Sequence, residues 1–458
     1  MGNLPWLYIR QYKSYVLIAL CTFVLVACTA TSVPSLQSSA EQVSSSKAQP
    51  ASSVKSRGEQ ARSADSFVDS IGTHVHLTYE DTAYGNSSII NSRLKELGIR
   101  HIRDGGHNEE KYLNQLKELG KAGVKSTLIF QGTPTTEVLD VVKKTKGAIA
   151  AVEGPNESDL EQFNFSYEGQ KFPEGTRVYQ KELYTAVKGD SATKYLPVIL
   201  PSMGWGENAQ KLGYLEWGDL CNMHSYPANG ERPTYDIDWY FIPHGRTICG
   251  KQKPLMVTET GYHNAVKDES GSGISEQAGG KYLPRLLLEN FNRNIKRTYL
   301  YEFIDEWPDP KKAEKEKHFG LLRNDGTRKP SYQTIKNLIA LLKEPGANFR
   351  PKSLDYKLSG NMTDVHHTLL QKSDGTFYLI VWQDAKSWNN KAFKDVAIPN
   401  RKVTLTLNSL ISQAIGYQPM RSVKPIWQSS NRSGRIKNLP LNVPDHPLVI
   451  KLVAARKK

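Results

Sequence analysis

Residues 147–160 read GAIAAVEGPNESDL. Small and apolar side chains run from Ala148 to Val152 into Glu153. A Gly154-Pro155 break follows and delivers Asn156 and Glu157. A short apolar run bounded by turn residues predicts a buried strand, and Gly-Pro ends it. An amide and a carboxylate just past a buried strand sit where parallel α/β folds keep their chemistry, at the carboxyl end of the strand.

The flanking sequence repeats the logic. LKELGIRHIRD (94–104) and LKELGKAGVKSTLIF (116–130) each pair a leucine-patterned helix with a glycine, Gly98 and Gly120, and then a strand. Glycine takes the left-handed conformation that closes a helix, so the reading ends the helices at these two positions. Helix, glycine and strand repeated without hairpin signals predict parallel strands joined by crossovers. Eight strands are expected, at 72–79, 100–104, 125–130, 148–153, 196–202, 219–226, 254–259 and 298–305. Helices between them include 88–97, 135–144 and 282–295. Eight units in this length predict an α/β fold, a (β/α)8 TIM barrel over residues 67–345. The competitor is an open doubly wound sheet, which carries a glycine-rich phosphate loop; neither GxGxxG after the first strand nor GxxxxGK[ST] anywhere is present.

From residue 346 the pattern changes to short β-rich runs such as HHTLLQK, TFYLIVWQD and VTLTLN, with an Asp374-Gly375 hairpin turn between the first two. Residues 346–458 are expected to form a smaller C-terminal antiparallel β-sandwich. This segment carries 18 Lys and Arg against six Asp and no Glu, a net of +12 out of +14 for the chain. It is read as a basic domain drawn to an anionic surface, or equally as solvated strand faces with no partner.

The chain opens with a short basic segment and an apolar run from Tyr15 to Ala27, ending LVAC. Residues 1–27 are expected to be an export signal; an uncleaved anchor is the alternative. The ending resembles the bacterial lipoprotein signal, which implies lipidation of Cys28. Residues 28–66 are rich in Ser, Ala and Gln and read as a flexible tether. The expected location is outside the cytoplasm, membrane-anchored, periplasmic or at the cell surface. Beyond Cys28 only Cys221 and Cys249 remain downstream; a disulfide and two buried free thiols are both open readings. Nucleic acid is not an expected partner, and the chain is read as a monomer.

The strand ends carry a specific set: Arg103-Asp104 on the second strand, Asn156-Glu157 after the fourth, His224 and Tyr226 on the sixth, Thr258-Glu259 on the seventh, and Asp305-Glu306-Trp307 at the eighth. GPNE, VTETGY and HFGLLRNDGTRKPSY (318–332) make the barrel segment resemble clan A of the retaining glycoside hydrolases. The resemblance implies Glu157 as acid/base and Glu259 as nucleophile. It further implies that Asn156 donates to the sugar 2-hydroxyl, Arg103 keeps Glu259 ionised, Tyr226 hydrogen-bonds Glu259, His224 shapes the site and Trp307 forms the floor under the sugar. The chemistry requires such a pair: a proton for the leaving oxygen and a negative group for the oxocarbenium-like centre, two carboxyls about 5–5.5 Å apart. Glu153 is the rival acid, or a structural carboxylate. Arg103, His224, Tyr226 and Trp307 each have a plain packing or ion-pair alternative.

No cofactor is expected. His74-Val-His76 puts two imidazoles on one strand face, but no third metal ligand is evident, so no metal is expected. A GxSxG elbow is absent. The partner is then a carbohydrate, and the function a surface-tethered retaining glycosidase cleaving β-glycosidic bonds of a polysaccharide or oligosaccharide. Its rivals are a glycan-binding lipoprotein that kept the barrel without turnover, and a structural envelope lipoprotein.

Overall fold

Eight parallel strands follow one another as the sequence implies: β1 (Ile71–His74), β2 (His101–Gly105), β3 (Lys125–Ile129), β4 (Ile149–Glu153), β5 (Val198–Ile199), β6 (Cys221–His224), β7 (Leu255–Thr260) and β8 (Thr298–Leu300). In the computed structural model, which describes residues 58–431 and 435–455, they pair in the order β6-β7-β8-β1-β2-β3-β4-β5. A parallel bridge between Ile199 and Leu220 brings the two edges of this sheet together. The fold is a (β/α)8 barrel with a C-terminal β region.

The small residues of β4 have a use inside this cylinder. Ala151 shares an interior cluster with Ile199, Leu220, Met256 and Tyr299. The Tyr299 ring fills the bore: a Cβ on Gly72 would meet it at 2.4 Å, and its hydroxyl lies 2.7 Å from Thr127 Oγ1 on β3. Bulky residues at 72 and 151 would compete for that volume.

Of the two glycines expected to close helices, one does so. Gly98 caps the helix Ser87–Leu97 in the left-handed conformation. Gly120 instead lies inside the helix Glu110–Lys121, and the left-handed residue is Gly123. Gly120 is small for a different reason: a Cβ there would meet the Ala148 Cβ at 2.6 Å, so it sets how closely the helix lies on the start of β4.

The C-terminal region is a three-stranded sheet and a six-stranded sheet sharing one apolar interior that includes Leu369, Leu379, Leu405, Leu441 and Ile450. Its central strand Phe377–Gln383 is buried at every residue, because it is a middle layer. One face meets the second sheet; the other, with Tyr378, Ile380 and Trp382, packs into the same cluster as Leu286 and Leu338 of the barrel helices. Arg285, fully buried, donates to the carbonyls of Gln383, Ala385 and Asp445 at 2.6, 3.0 and 3.2 Å. Asp374-Gly375 makes the expected turn between Val365–Gln371 and Phe377–Gln383.

The expected tether needs correction. Residues 59–66 are expected to be tether, but Glu59–Gln60 pairs with Ser353–Leu354, Arg62–Ser63 pairs with Leu370–Gln371, and a helix begins at Ala64. Small residues that read as linker here fit a sheet edge, with Ala61 and Ala64 buried. The strand Arg62–Ser63 joins the six-stranded sheet in parallel, while among the described residues every strand pairing within 346–458 is antiparallel, as expected. The signal segment, Cys28 and the tether up to residue 57 lie outside the described residues. Among the described residues no helix is long and apolar enough to cross a membrane.

Candidate active site

The carboxyl ends of the strands carry their charges into one network. Arg103 on β2 is fully buried. Its guanidinium donates to both Glu153 oxygens at 2.9 and 2.7 Å, to Glu259 Oε1 at 2.6 Å and to Asn156 Oδ1 at 2.6 Å. A planar fork serves several carboxyl oxygens at once, which a lysine cannot do. Glu153 is fully buried as well, and receives Asn222 Nδ2 and Thr258 Oγ1, both at 3.0 Å. Its oxygens are spent on protein donors, so it is a structural carboxylate that anchors Arg103.

Glu259 ends β7 with Arg103 on one oxygen and the Tyr226 hydroxyl on the other, 2.8 Å away. Burial pushes its carboxyl upward, but His224, Arg103 and Tyr226 outweigh that and hold it below the usual range. These partners favour the ionised form of the carboxyl.

Glu157 is built differently. It lies beyond the strand, at a backbone φ of 44°, a left-handed conformation that a side chain adopts at a cost. Its N–H donates to Ser202 O at 3.2 Å, which ties the loop to the segment after β5. Gly154 is bare because a Cβ would meet Gln180 Oε1 at 1.8 Å. The Glu157 carboxyl touches His224 Nδ1 at 2.6 Å. His224 Nε2 faces Thr258 Oγ1 at 3.1 Å. Burial lowers His224, but Glu259 and Glu157 together raise it. His224 Nδ1 is also 3.6 Å from Glu259 Oε2, and one oxygen of each glutamate lies within 4.8 Å of the other. Two carboxyls at this separation, one ionised by fixed donors and one at the lip, match the spacing a retaining glycosidase needs.

The structure therefore brings Glu157, Glu259, Asn156, Arg103, His224 and Tyr226 together. Trp307 lies in the loop after β8, partly buried. Two aromatics flank Tyr226: Phe319 at 5.8 Å and Tyr301 at 6.5 Å between centroids, with Phe319 and His74 at 5.3 and 5.2 Å from Tyr301. Tyr301 was missed, although the two-residue period of TYLYEF puts it on the same inward face as Tyr299. The Tyr301–Glu302 peptide bond is cis.

The histidine pair separates in role. His74 Nδ1 meets Arg103 at 2.9 Å. His76 Nε2 lies 3.6 Å from Glu302 and 3.7 Å from Glu306. These three, and Glu157 with His224 and Glu259, are the groups among the described residues whose spacing suits a cation. The sequence offered His76 no further ligand because Glu302 and Glu306 are more than 220 positions away. Burial and the neighbouring Glu306 push Glu302 far up. Burial and Glu316 raise Glu306 to about 7. Glu302 Oε2 accepts from the Tyr84 hydroxyl at 2.9 Å.

Cys221 at the start of β6 is disulfide-bonded to Cys249, with Cα atoms 5.5 Å apart. Of the two readings, the pair is the one found.

No family model and no curated protein matches the chain. Solved structures do. A family 39 glycoside hydrolase from the gut symbiont Bacteroides cellulosilyticus WH2 superposes with a TM-score of 0.51 and 16% identity, covering 85% of this chain and 81% of that one. The GH39 enzyme from Xanthomonas axonopodis pv. citri gives 0.57 and 14%, covering 86% and 96%. A monomeric beta-xylosidase from Caulobacter crescentus CB15 gives 0.55 and 12%, covering 87% and 98%. The likeness is one of fold, and it extends over barrel and C-terminal sheets together.

Proposed function

We propose that the chain is a retaining glycoside hydrolase acting on β-glycosidic bonds of a polysaccharide or oligosaccharide. The observation that supports this most is the pair Glu157 and Glu259, one oxygen of each within 4.8 Å, at the ends of β4 and β7. In the first step Glu259 attacks the anomeric carbon, the bond to the leaving oxygen breaks, and Glu157 gives that oxygen its proton. In the second, Glu157 takes a proton from water, the water oxygen replaces Glu259 at the anomeric carbon, and the starting configuration returns. Asn156 is committed through its oxygen to Arg103, which leaves its amide N–H groups for a sugar hydroxyl. His224, in contact with Glu157 and near Glu259, positions the acid/base. Tyr301 supplies aromatic floor beside the pair, together with Trp307 from the loop after β8.

The protein would be exported and held at a membrane through lipidated Cys28 as a monomer, with the basic C-terminal region facing an anionic surface. That face predicts binding to anionic vesicles that weakens as salt rises; salt-independent binding removes it. The deciding experiment for the chemistry is proton NMR of the first product released from a glycan panel. Retention of the anomeric configuration is expected, and initial release of the opposite anomer rejects the assigned pair. Binding without release by the wild type favours the glycan-binding alternative.

A further inference from the structure

Large aromatic rings are rarely left in water, yet the segments after β5 and β6 expose four: Tyr214, 62% exposed beside Gly250 and Lys253, and three others. Trp205 is 63% exposed, Trp239 66% and Tyr235 47%. Trp205, Trp239 and Tyr235 belong to one assembly. Gly206 lies against Tyr240 and His244, such that a Cβ would meet them at 3.1 and 3.0 Å. Tyr240 stacks edge-on with Trp239 at 5.6 Å and donates its hydroxyl to Glu207 at 2.7 Å. The Trp239 indole N–H donates to Tyr235 O at 2.9 Å, so the indole's one polar group is satisfied while the ring stays in solvent.

The Trp205 end of this assembly is fastened to the loop that carries the acid/base. Asp159, two residues after Glu157, accepts from the Gly204 and Trp205 N–H groups at 2.8 and 3.0 Å and from Asn208 Nδ2 at 2.9 Å. Gly204 packs on Leu160. The backbone of Trp205 is thereby held at a fixed distance from Glu157. The acid/base faces the leaving oxygen, so a platform fixed to its loop borders the leaving-group side of the bond.

We propose that Trp205, continued by Trp239 and Tyr235, is an aromatic track for the leaving-group side of a neutral glycan chain, making the substrate a polymer rather than a single terminal sugar. This rests on the glycosidase reading above. The C–H faces of a pyranose carry partial positive charge and match the electron-rich faces of exposed indoles. The rings alternate with Glu207, Asn208 and Asp238, which suits a chain of hydroxylated rings better than the continuous apolar centre of a protein interface.

The test is affinity electrophoresis of the Glu259→Gln protein in gels containing xylan, laminarin, mixed-linkage β-glucan or galactomannan, with wild-type sugar release measured on the same polymers. Retardation is expected in at least one neutral glycan. Adding Trp205→Ala should weaken it about tenfold, Trp239→Ala by less, and Trp205→Phe should restore most of it. Equal retardation with and without Trp205, or none in any gel, overturns the track. Retardation that depends on Trp205 while the wild type releases no sugar keeps the track and rejects the hydrolase reading.

Discussion

The barrel mouth and the C-terminal sheets bury their side chains by opposite rules. In the strand Arg401–Leu407 burial alternates residue by residue, apolar side chains inward and polar ones outward. At the mouth of the barrel the buried groups are Arg103, Glu153, Asn222 and Thr258, and almost every lone pair is assigned to a donor. The sheets gain stability from burial, and another apolar side chain of similar size would serve. The mouth loses stability by desolvating charge, and an apolar replacement set could be more stable. What the ionic arrangement supplies is position: it holds one carboxylate ionised and sets a second beside it. The difference separates a region whose sequence answers to packing from one that answers to chemistry.

Substitutions can break that comparison. The largest effect is expected for Glu259→Gln and Glu157→Gln, each lowering sugar release by about 10²–10⁴-fold, while thermal melting of the Glu157 variant stays near wild type because its side chain has one protein partner. Comparable activity in either variant would end the two-carboxylate account. Arg103→Met leaves Glu153 and Glu259 buried without their cation, and should cost about 3–5 kcal/mol in denaturant unfolding. In the sheets, Leu379→Ala should cost about 2–5 kcal/mol yet leave turnover per folded molecule intact; a fall in that turnover would show the sheets shape the site.

The smallest effect is a pH dependence. Glu306, held up to about 7 by burial and Glu316, keeps a proton in the folded chain that the unfolded chain releases above about 4.5. The folded state binds more protons in that window, so this group's stabilisation is lost as pH rises from 4.5 to 7. Glu306→Gln should therefore compare better with wild type at pH 8 than at pH 4, read by denaturant midpoints. His76 acts in the opposite direction. Burial pulls it to about 4, so its contribution falls as pH drops from 6.5 toward 4.

Much of the catalytic half was legible because its signals are local. Apolar runs between helix patterns marked all eight strands, and Glu157 and Glu259 stood at two of their ends. Gly120 shows where local reasoning stops: its smallness answers to Ala148 across a packing contact rather than to a helix end. Tyr301 lay on a readable inward face, two positions after Tyr299. The region 59–66 resembled a linker, because nothing local announces that its partners are Ser353–Leu354 and Leu370–Gln371.

Chain order, strand and helix periodicity, and the pair of carboxylates at strand ends were set by the sequence itself, since each depends on side chains only a few positions apart. Only the closed barrel decided that Arg103 would divide its guanidinium between Glu153 and Glu259, that His76 would meet two carboxyls from the segment after β8, and that Glu157 would be held in a left-handed turn by Ser202. Those outcomes depend on which strand ends become neighbours in space. Charges that repel, pair or share protons across the bowl do so through distances that no stretch of sequence contains.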